Sequence, residues 1–207
     1  SEEEQVEALK KWWKENGRSV IAGVVIGLGA VFGWQGWTQY QRSIAEQGGA
    51  DFQQLQQAVA LGDNEAAAKQ AEMMVAEFDG GTYSVFASLA LARTKLALDD
   101  TVGAEVQLRW ALENSNQPSL RQIARLRLAR VLLDRGETVA AEAVVAAAEN
   151  DSFAGEFAEL RGDIALAKGD SEDARSAYSE ALMNGVSGAA LVQMKLDNLA
   201  PAAPAGT

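Results

Sequence analysis

The sequence predicts an all-α protein: a single N-terminal transmembrane helix followed by a helical-repeat domain of the α-solenoid type. Three observations carry that expectation. The run from Val20 to Trp37 is apolar and holds no ionisable side chain. Beyond it Ala, Leu, Glu and Gln dominate, all of them residues at home in helices, and no proline occurs before Pro118. Four turn-forming clusters then recur at spacings of about 37, 37 and 33 residues, the mark of a repeated helix pair.

Residues 19–40 are assigned to the transmembrane helix. The apolar run would be roughly 27 Å long, close to the hydrocarbon thickness of a bilayer. Lys10, Lys11, Lys14 and Arg18 precede it, whereas only Arg42 follows before Lys69. Basic residues are retained on the cytoplasmic side, so the N-terminus is expected there and the large domain on the far side. Trp34, Trp37 and Tyr40 fall where an outer aromatic belt would lie, and Trp12 with Trp13 at the inner headgroups. A cleavable signal peptide is disfavoured: the run is long, the tail holds Glu2, Glu3, Glu4, Glu7 and Glu15, and the small-x-small site Ser43-Ile44-Ala45 lies far beyond the run.

Within the tail, residues 1–18, Val6, Leu9, Trp12 and Trp13 share one side of a helical projection, and Lys10, Lys11 and Lys14 can reach lipid phosphates. A cytoplasmic tail with an interfacial helix is therefore expected, broken at Asn16-Gly17 before the span. In the span, Gly23-x-x-x-Gly27 and Gly29-x-x-x-Gly33 place bare backbone on helical faces. Such faces allow close approach of a partner helix.

Composition narrows the chemistry. The net charge is -11, and the tail through Ser19 carries five acids against four bases, so nearly all of the excess lies beyond the span. An acidic domain does not suit nucleic acid or an anionic lipid surface. Neither Cys nor His is present, which removes disulfides, thiolate chemistry and the commonest general base. Asp63, Asp99, Asp100, Asp163 and Asp170 remain as carboxylates, but Asp99-Asp100 and Gly169-Asp170 sit at repeat turns, where Asp caps the next helix. No phosphate loop, nucleophile elbow or EF-hand spacing occurs. The protein is expected not to be an enzyme, with no catalytic or metal site and no cofactor.

The four turns are Leu61-Gly62-Asp63-Asn64, Leu98-Asp99-Asp100-Thr101, Arg135-Gly136-Glu137-Thr138 and Lys168-Gly169-Asp170-Ser171. Ala67, Ala104, Ala141 and Ala174 follow at one offset, and Met74, Ala111, Ala148 and Ala181 at a second. Helix ends recur at Phe78-Asp79, Glu113-Asn114, Glu149-Asn150 and Met183-Asn184. A Gly or Asp turn lets two helices fold back, small residues let their axes approach, and stacked pairs bury the remaining apolar faces. The last unit, with Gly162, Gly169-Asp170, Ala174, Tyr178, Ala181 and Leu182, resembles the tetratricopeptide pattern. Earlier units replace Gly162 by Ala129 and Ala92, and Tyr178 by Val145, Leu108 and Ala71.

The repeat domain is placed at residues 41–200, with helix pairs at about 44–78, 84–114, 119–149 and 153–184. A closing helix is expected at 188–199, presenting Leu191, Met194 and Leu199 to the last repeat with Lys195 and Asp197 facing out. Residues 201–207, rich in Pro and Ala, are expected as a disordered tail.

In tetratricopeptide arrays the first helix of each pair lines the concave face. That register puts Phe86, Leu89, Arg93 and Leu96 there from one unit and Ile123, Leu126, Arg130 and Leu133 from the next. An apolar groove with two guanidinium groups suits an amphipathic or unfolded segment bearing a carboxylate. The same stripe also suits ordinary packing between pairs. Arg121, Arg125, Arg127 and Arg130 cannot share one helical face, so this run is read as solvated or internally paired, Arg121 and Arg125 in particular being solvated, rather than as an acidic docking site.

The segment from Glu3 to Arg18, with Trp12-Trp13-Lys14-Glu15-Asn16-Gly17 at its centre, runs into the glycine-rich span with Trp34-x-x-Trp37 and on to degenerate repeats ending at Leu182. This order of parts resembles the YfgM family of ancillary subunits of the bacterial SecYEG translocon. The resemblance implies a bacterial inner-membrane protein with a periplasmic repeat domain, partnered by the SecYEG channel and the membrane-anchored chaperone PpiD. It further implies transfer of newly exported proteins to periplasmic folding factors, and a cytoplasmic link to a stress regulator. It brings no catalytic residues. The alternative reading is a membrane-tethered repeat scaffold for envelope assembly, cell division or stress signalling.

Overall fold

The computed structural model describes residues 2–78, 80–148 and 153–199. Among these the chain forms helices and no strand. Helix ends expected at Asp79 and Glu149-Asn150, and the tail at 201–207, lie outside the described residues. Two compact units are present, Ser1–Gln47 and Gly48–Thr207.

The first unit is helical throughout, from the start of α1 (Glu2–Leu61), whose first turn carries Glu2, Glu3 and Glu4 at the positive end of the helix dipole. Contrary to expectation, the helix is not broken at Asn16-Gly17. Asn16 donates its side-chain amide to the Trp12 carbonyl at 3.1 Å, one turn back. The Trp13 indole covers Gly17, with atoms 3.3–3.5 Å from where a Cβ would stand. These local contacts offset the roughly 1 kcal/mol that an interior glycine costs a helix. Tail and span are one helix.

Among the described residues α1 alone is long and apolar enough to cross a membrane, and its apolar window is wholly unburied. Ile26, Phe32 and Trp34 are about 70% exposed (72%, 67% and 70%). Large apolar side chains with no protein over them are what a lipid-facing helix presents.

In the second unit, the 48–61 stretch of α1 shares a core with α2 (Asn64–Glu77) and α3 (Thr82–Ala97): Leu55, Ala67, Ala71, Met74, Ala87 and Leu91 cluster there. Next come α4 (Thr101–Asn114), α5 (Pro118–Asp134), α6 (Thr138–Ala146), α7 (Ala154–Ala167), α8 (Ser171–Met183) and α9 (Ala189–Asp197). From α2 to α9 each helix packs on the next, and α5 also meets α7. This is the expected stack of helix pairs closed by one terminal helix.

The four repeat turns share one conformation. Gly62, Asp99, Gly136 and Gly169 occupy the same position in each and have φ of 73°, 60°, 78° and 84°. That left-handed backbone terminates the first helix of every pair, and glycine adopts it with least strain. The next residue caps the second helix in three turns: Asp63 accepts from the Ala66 N–H at 3.0 Å, Asp100 from Gly103 at 2.8 Å and Asp170 from Asp173 at 3.1 Å. Glu137, one methylene longer, makes no such bond. Glu137→Asp is accordingly expected to stabilise the domain by about 0.5 kcal/mol, the capping gain less a weak exposed ion pair with Arg135. An unchanged or lowered unfolding midpoint in denaturant would show that a cap does not form there.

Ala67, Ala104, Ala141 and Ala174 are all fully buried. At the second offset Met74, Ala111 and Ala181 are buried, but Ala148 is exposed, because α6 ends at Ala146 and does not carry it to the crossing. Two expectations about charge also change. Arg125 is not solvated but 7% exposed, donating to Gln122 Oε1 at 2.8 Å. Its helix, α5, is covered by α4, α6 and α7, which leaves few outward positions.

Helix α9 is rotated from the expected setting. Val192 and Leu199 are buried and Leu196 partly so, while Leu191 and Met194 are 50% and 58% exposed. Lys195 faces inward. Its ammonium group lies 2.8 Å from Glu159 and 2.7 Å from Asp163, carboxylates on α7 that decide which side of α9 docks.

Candidate functional site

Two features are candidates, and each belongs to one unit. In the first, a Cβ added at Gly23, Gly27, Gly29 or Gly33 would meet nothing within 4 Å beyond the helix itself. At 100° per residue, the Gly23/Gly27 and Gly29/Gly33 pairs point about 120° apart. The span therefore offers two separate smooth strips.

In the second unit, α5, α7, α9 and the segment 186–188 enclose a cleft of about 630 Å³. Its apolar lining comes from Ile123, Leu126 and Leu133 on α5, with Phe153, Leu160, Val186 and Leu191 opposite. Of the eight groove residues named from sequence, Ile123, Leu126, Arg130 and Leu133 line this cleft. Phe86, Leu89, Arg93 and Leu96 do not. Phe86 instead stacks against Phe52 with ring centroids 5.6 Å apart, Leu89 is 6% exposed in the core, Leu96 is 40% exposed, and Arg93 is exposed.

The far wall is built by a close approach. A Cβ on Gly155 would stand 2.7 Å from the Val186 backbone nitrogen, so glycine at this position lets the segment after α8 cross the first turn of α7. Glu156 then accepts from the Ser187 N–H at 3.2 Å and from its hydroxyl at 2.5 Å. The Ser187 bonds, aided by a backbone bond at Glu156 itself and by the Arg130 charge, outweigh desolvation and hold the Glu156 carboxyl below the usual range. Val186, Ser187, Leu191 and Lys195 were absent from the sequence-based groove; Gly155 was the one available signal.

Charge in the cleft divides into a satisfied and an unsatisfied part. Lys195 bonds Glu159 and both Asp163 oxygens at 2.7–2.8 Å, and the Tyr178 hydroxyl donates to Asp163 Oδ1 at 2.7 Å. Burial alone would lower the Lys195 pKa, but the bonds and charges of Asp163 and Glu159 outweigh it and raise it. Burial, then Asp163, raises the Tyr178 hydroxyl far above its ordinary value. Both groups keep their protons at neutral pH. Arg130 reaches Glu159 only at 3.8 Å, and Arg127, beside it in the lining, has no ion-pair partner among the described residues. Partial burial, then the Arg93 and Arg130 guanidiniums, lower the Arg127 pKa.

A second cavity of about 640 Å³ lies among α6, α7 and α8, but its cations are paired: Lys168 with Glu142 at 2.6 Å and Arg161 with Glu180 at 2.8 Å. No group of three or more Asp or Glu able to hold a metal ion occurs among the described residues. In the cleft, Glu159 and Asp163 are engaged by Lys195 and Glu156 by Ser187.

A helix suited to a bilayer, followed by stacked helix pairs with a shared left-handed turn, defines a membrane-anchored tetratricopeptide-like repeat protein, and a tetratricopeptide repeat-like domain family matches residues 10–201. The likeness to curated proteins runs through tail, span and repeats alike. An ancillary SecYEG translocon subunit of Escherichia coli K12 is 33% identical over 201 residues, covering 96% of this chain and 97% of its own length. That of Haemophilus influenzae is 33% identical over 199 residues, with the same coverage. The Neisseria gonorrhoeae protein of that description is 28% identical over 206 residues. The chain belongs to the family of ancillary SecYEG translocon subunits. No solved structure matches it significantly.

Proposed function

We propose that this protein is an accessory subunit of the SecYEG channel, crossing the inner membrane once with its N-terminus cytoplasmic and its repeat domain periplasmic. The observation that carries this reading is the full-length likeness to ancillary SecYEG subunits, which includes the tail and the span. The two glycine strips supply a physical means of association, since one helix of the channel and one of a membrane-anchored chaperone such as PpiD can pack on different sides. The cleft of the repeat domain receives apolar segments of newly exported chains and helps their transfer to periplasmic folding factors.

Gly27→Leu and Gly29→Leu each fill one strip without altering apolarity. Each is expected to reduce co-purification with SecYEG or with the chaperone about tenfold, the two variants affecting different partners. Photocrosslinking probes at Val24 and Phe32 should capture those partners, and a probe at Leu191, half-exposed in the cleft lining, an exported chain. Wild-type co-purification by both variants, with adducts only between copies of this chain, would favour a tethered scaffold instead.

A further inference from the structure

We propose that the cleft of the repeat domain selects apolar polypeptide segments that carry clustered Asp or Glu side chains, reading the carboxylates with Arg127 and Arg130 of its lining. This rests on the cleft being the docking surface of the periplasmic domain.

Charge complementarity carries the inference. The domain is strongly acidic, and the other cations lining its two larger cavities are paired, Lys195, Lys168 and Arg161 each within 2.8 Å of a carboxylate. Arg93 and Arg127 have no ion-pair partner among the described residues, and Arg130 has only the 3.8 Å approach of Glu159. Glu159 is itself engaged by Lys195 at 2.8 Å, and Glu156 by Ser187. Those carboxylates are therefore poor receptors for a third cation. Asp134 also lines the cleft, one turn beyond Arg130 and seven residues, about 10 Å, beyond Arg127, so it bears on Arg130 and leaves Arg127 as the principal cation of the site.

Arg127 lies in the field of both neighbouring guanidiniums, since Arg93 and Arg130 add to partial burial in disfavouring its charged form. Like charges held together without a counter-ion cost free energy that an incoming carboxylate relieves. Guanidinium–carboxylate pairs are also among the stronger charge-assisted contacts. Beside them the partly exposed apolar side chains of Ile123, Leu133, Phe153 and Leu191 take the uncharged part of the same segment. At about 630 Å³ the cleft holds a few side chains, a motif rather than a folded surface.

The test uses the full chain in nanodiscs of zwitterionic lipid and two amidated twelve-residue peptides, one with Leu and clustered Asp/Glu, its twin with Asn/Gln at the acidic positions. Fluorescence anisotropy should give about tenfold tighter binding of the acidic peptide, weakening with salt. Arg127→Gln should remove most of that preference, Arg130→Gln part of it, and Arg127→Lys should keep most of it. Arg127→Glu should reverse it. Equal binding of the twins to the wild type would overturn the charge rule while leaving the apolar cleft intact. Binding of neither peptide would overturn both the charge rule and the cleft, but not the channel association read by the glycine variants. A loss of self-association in Arg127→Gln, without any peptide preference in the wild type, would assign the cluster to contacts between copies and likewise refute the proposal.

Discussion

Tyr178→Ala is expected to destabilise the C-terminal part of the repeat domain by roughly 3–5 kcal/mol, the range for removing a fully buried aromatic. Tyr178 is 0% exposed and stands in the cluster of Ala158, Ala174, Ala181, Val186, Val192 and Leu199. Its hydroxyl bonds Asp163, and the Lys195 ammonium lies 5.7 Å from its ring centroid. Truncation opens a cavity under α9 and leaves Asp163 with one partner fewer. Repeat arrays are stabilised by nearest-neighbour contacts, so the loss should be local. Hydrogen exchange on the full chain should show protection falling in α8 and α9 and persisting in α3 to α5. Because Leu191 and Lys195 of α9 also line the cleft, peptide binding should weaken in parallel. Tyr178→Phe keeps the ring and should cost only about 1 kcal/mol. A Tyr178→Ala change below 1 kcal/mol, or one spread evenly over the array, would contradict this account.

What could be read from sequence was whatever depends on neighbours along the chain. An apolar run of membrane length, a turn whose second residue must have positive φ, and an Asp positioned to cap are all local signals. Each recurs where expected. The setting of α9 was not local. Leu191, Val192, Met194, Leu196 and Leu199 leave that helix apolar on several sides, so hydrophobic pattern alone does not choose its inner face. The choice is made by Glu159 and Asp163, 36 and 32 residues earlier, which draw Lys195 inward. Asp163, weighed from sequence as a source of acid chemistry, is thus the residue that seats the closing helix. The cleft follows the same logic: α5 contributes its predicted half, but the facing half depends on α9 and on the Gly155 crossing, which no periodicity reveals. Asn16-Gly17 failed in the opposite sense. A turn-prone pair stays helical because Trp12 and Trp13, one turn earlier, supply a carbonyl and an indole cover.

Gly162→Ala and Tyr178→Leu are each expected to destabilise, and together to cost less than their sum. A Cβ at 162 would overlap the Tyr178 ring, so alanine there displaces the ring and its bond to Asp163. The expected cost is about 1–2 kcal/mol, after the better helix propensity of alanine is counted. Tyr178→Leu alone leaves space above Gly162 and should cost roughly 2–4 kcal/mol. In the double variant the new methyl occupies that space. The chain already contains this solution: Ala92 with Leu108 and Ala129 with Val145, in the same register and all buried, replace the Gly–Tyr pair in the preceding units. The first helix pair inverts it, with Leu55 and Ala71 both fully buried. Three of the four pairs thus keep the combined volume at this register nearly constant while exchanging which helix supplies it, and Ala129 with Val145 is smaller by one methylene. A double-mutant cycle read from unfolding midpoints should give a favourable coupling of about 1–2 kcal/mol. Strict additivity would mean that the two positions do not share one packing site, and that the degenerate repeats conserve small and large residues there for separate reasons.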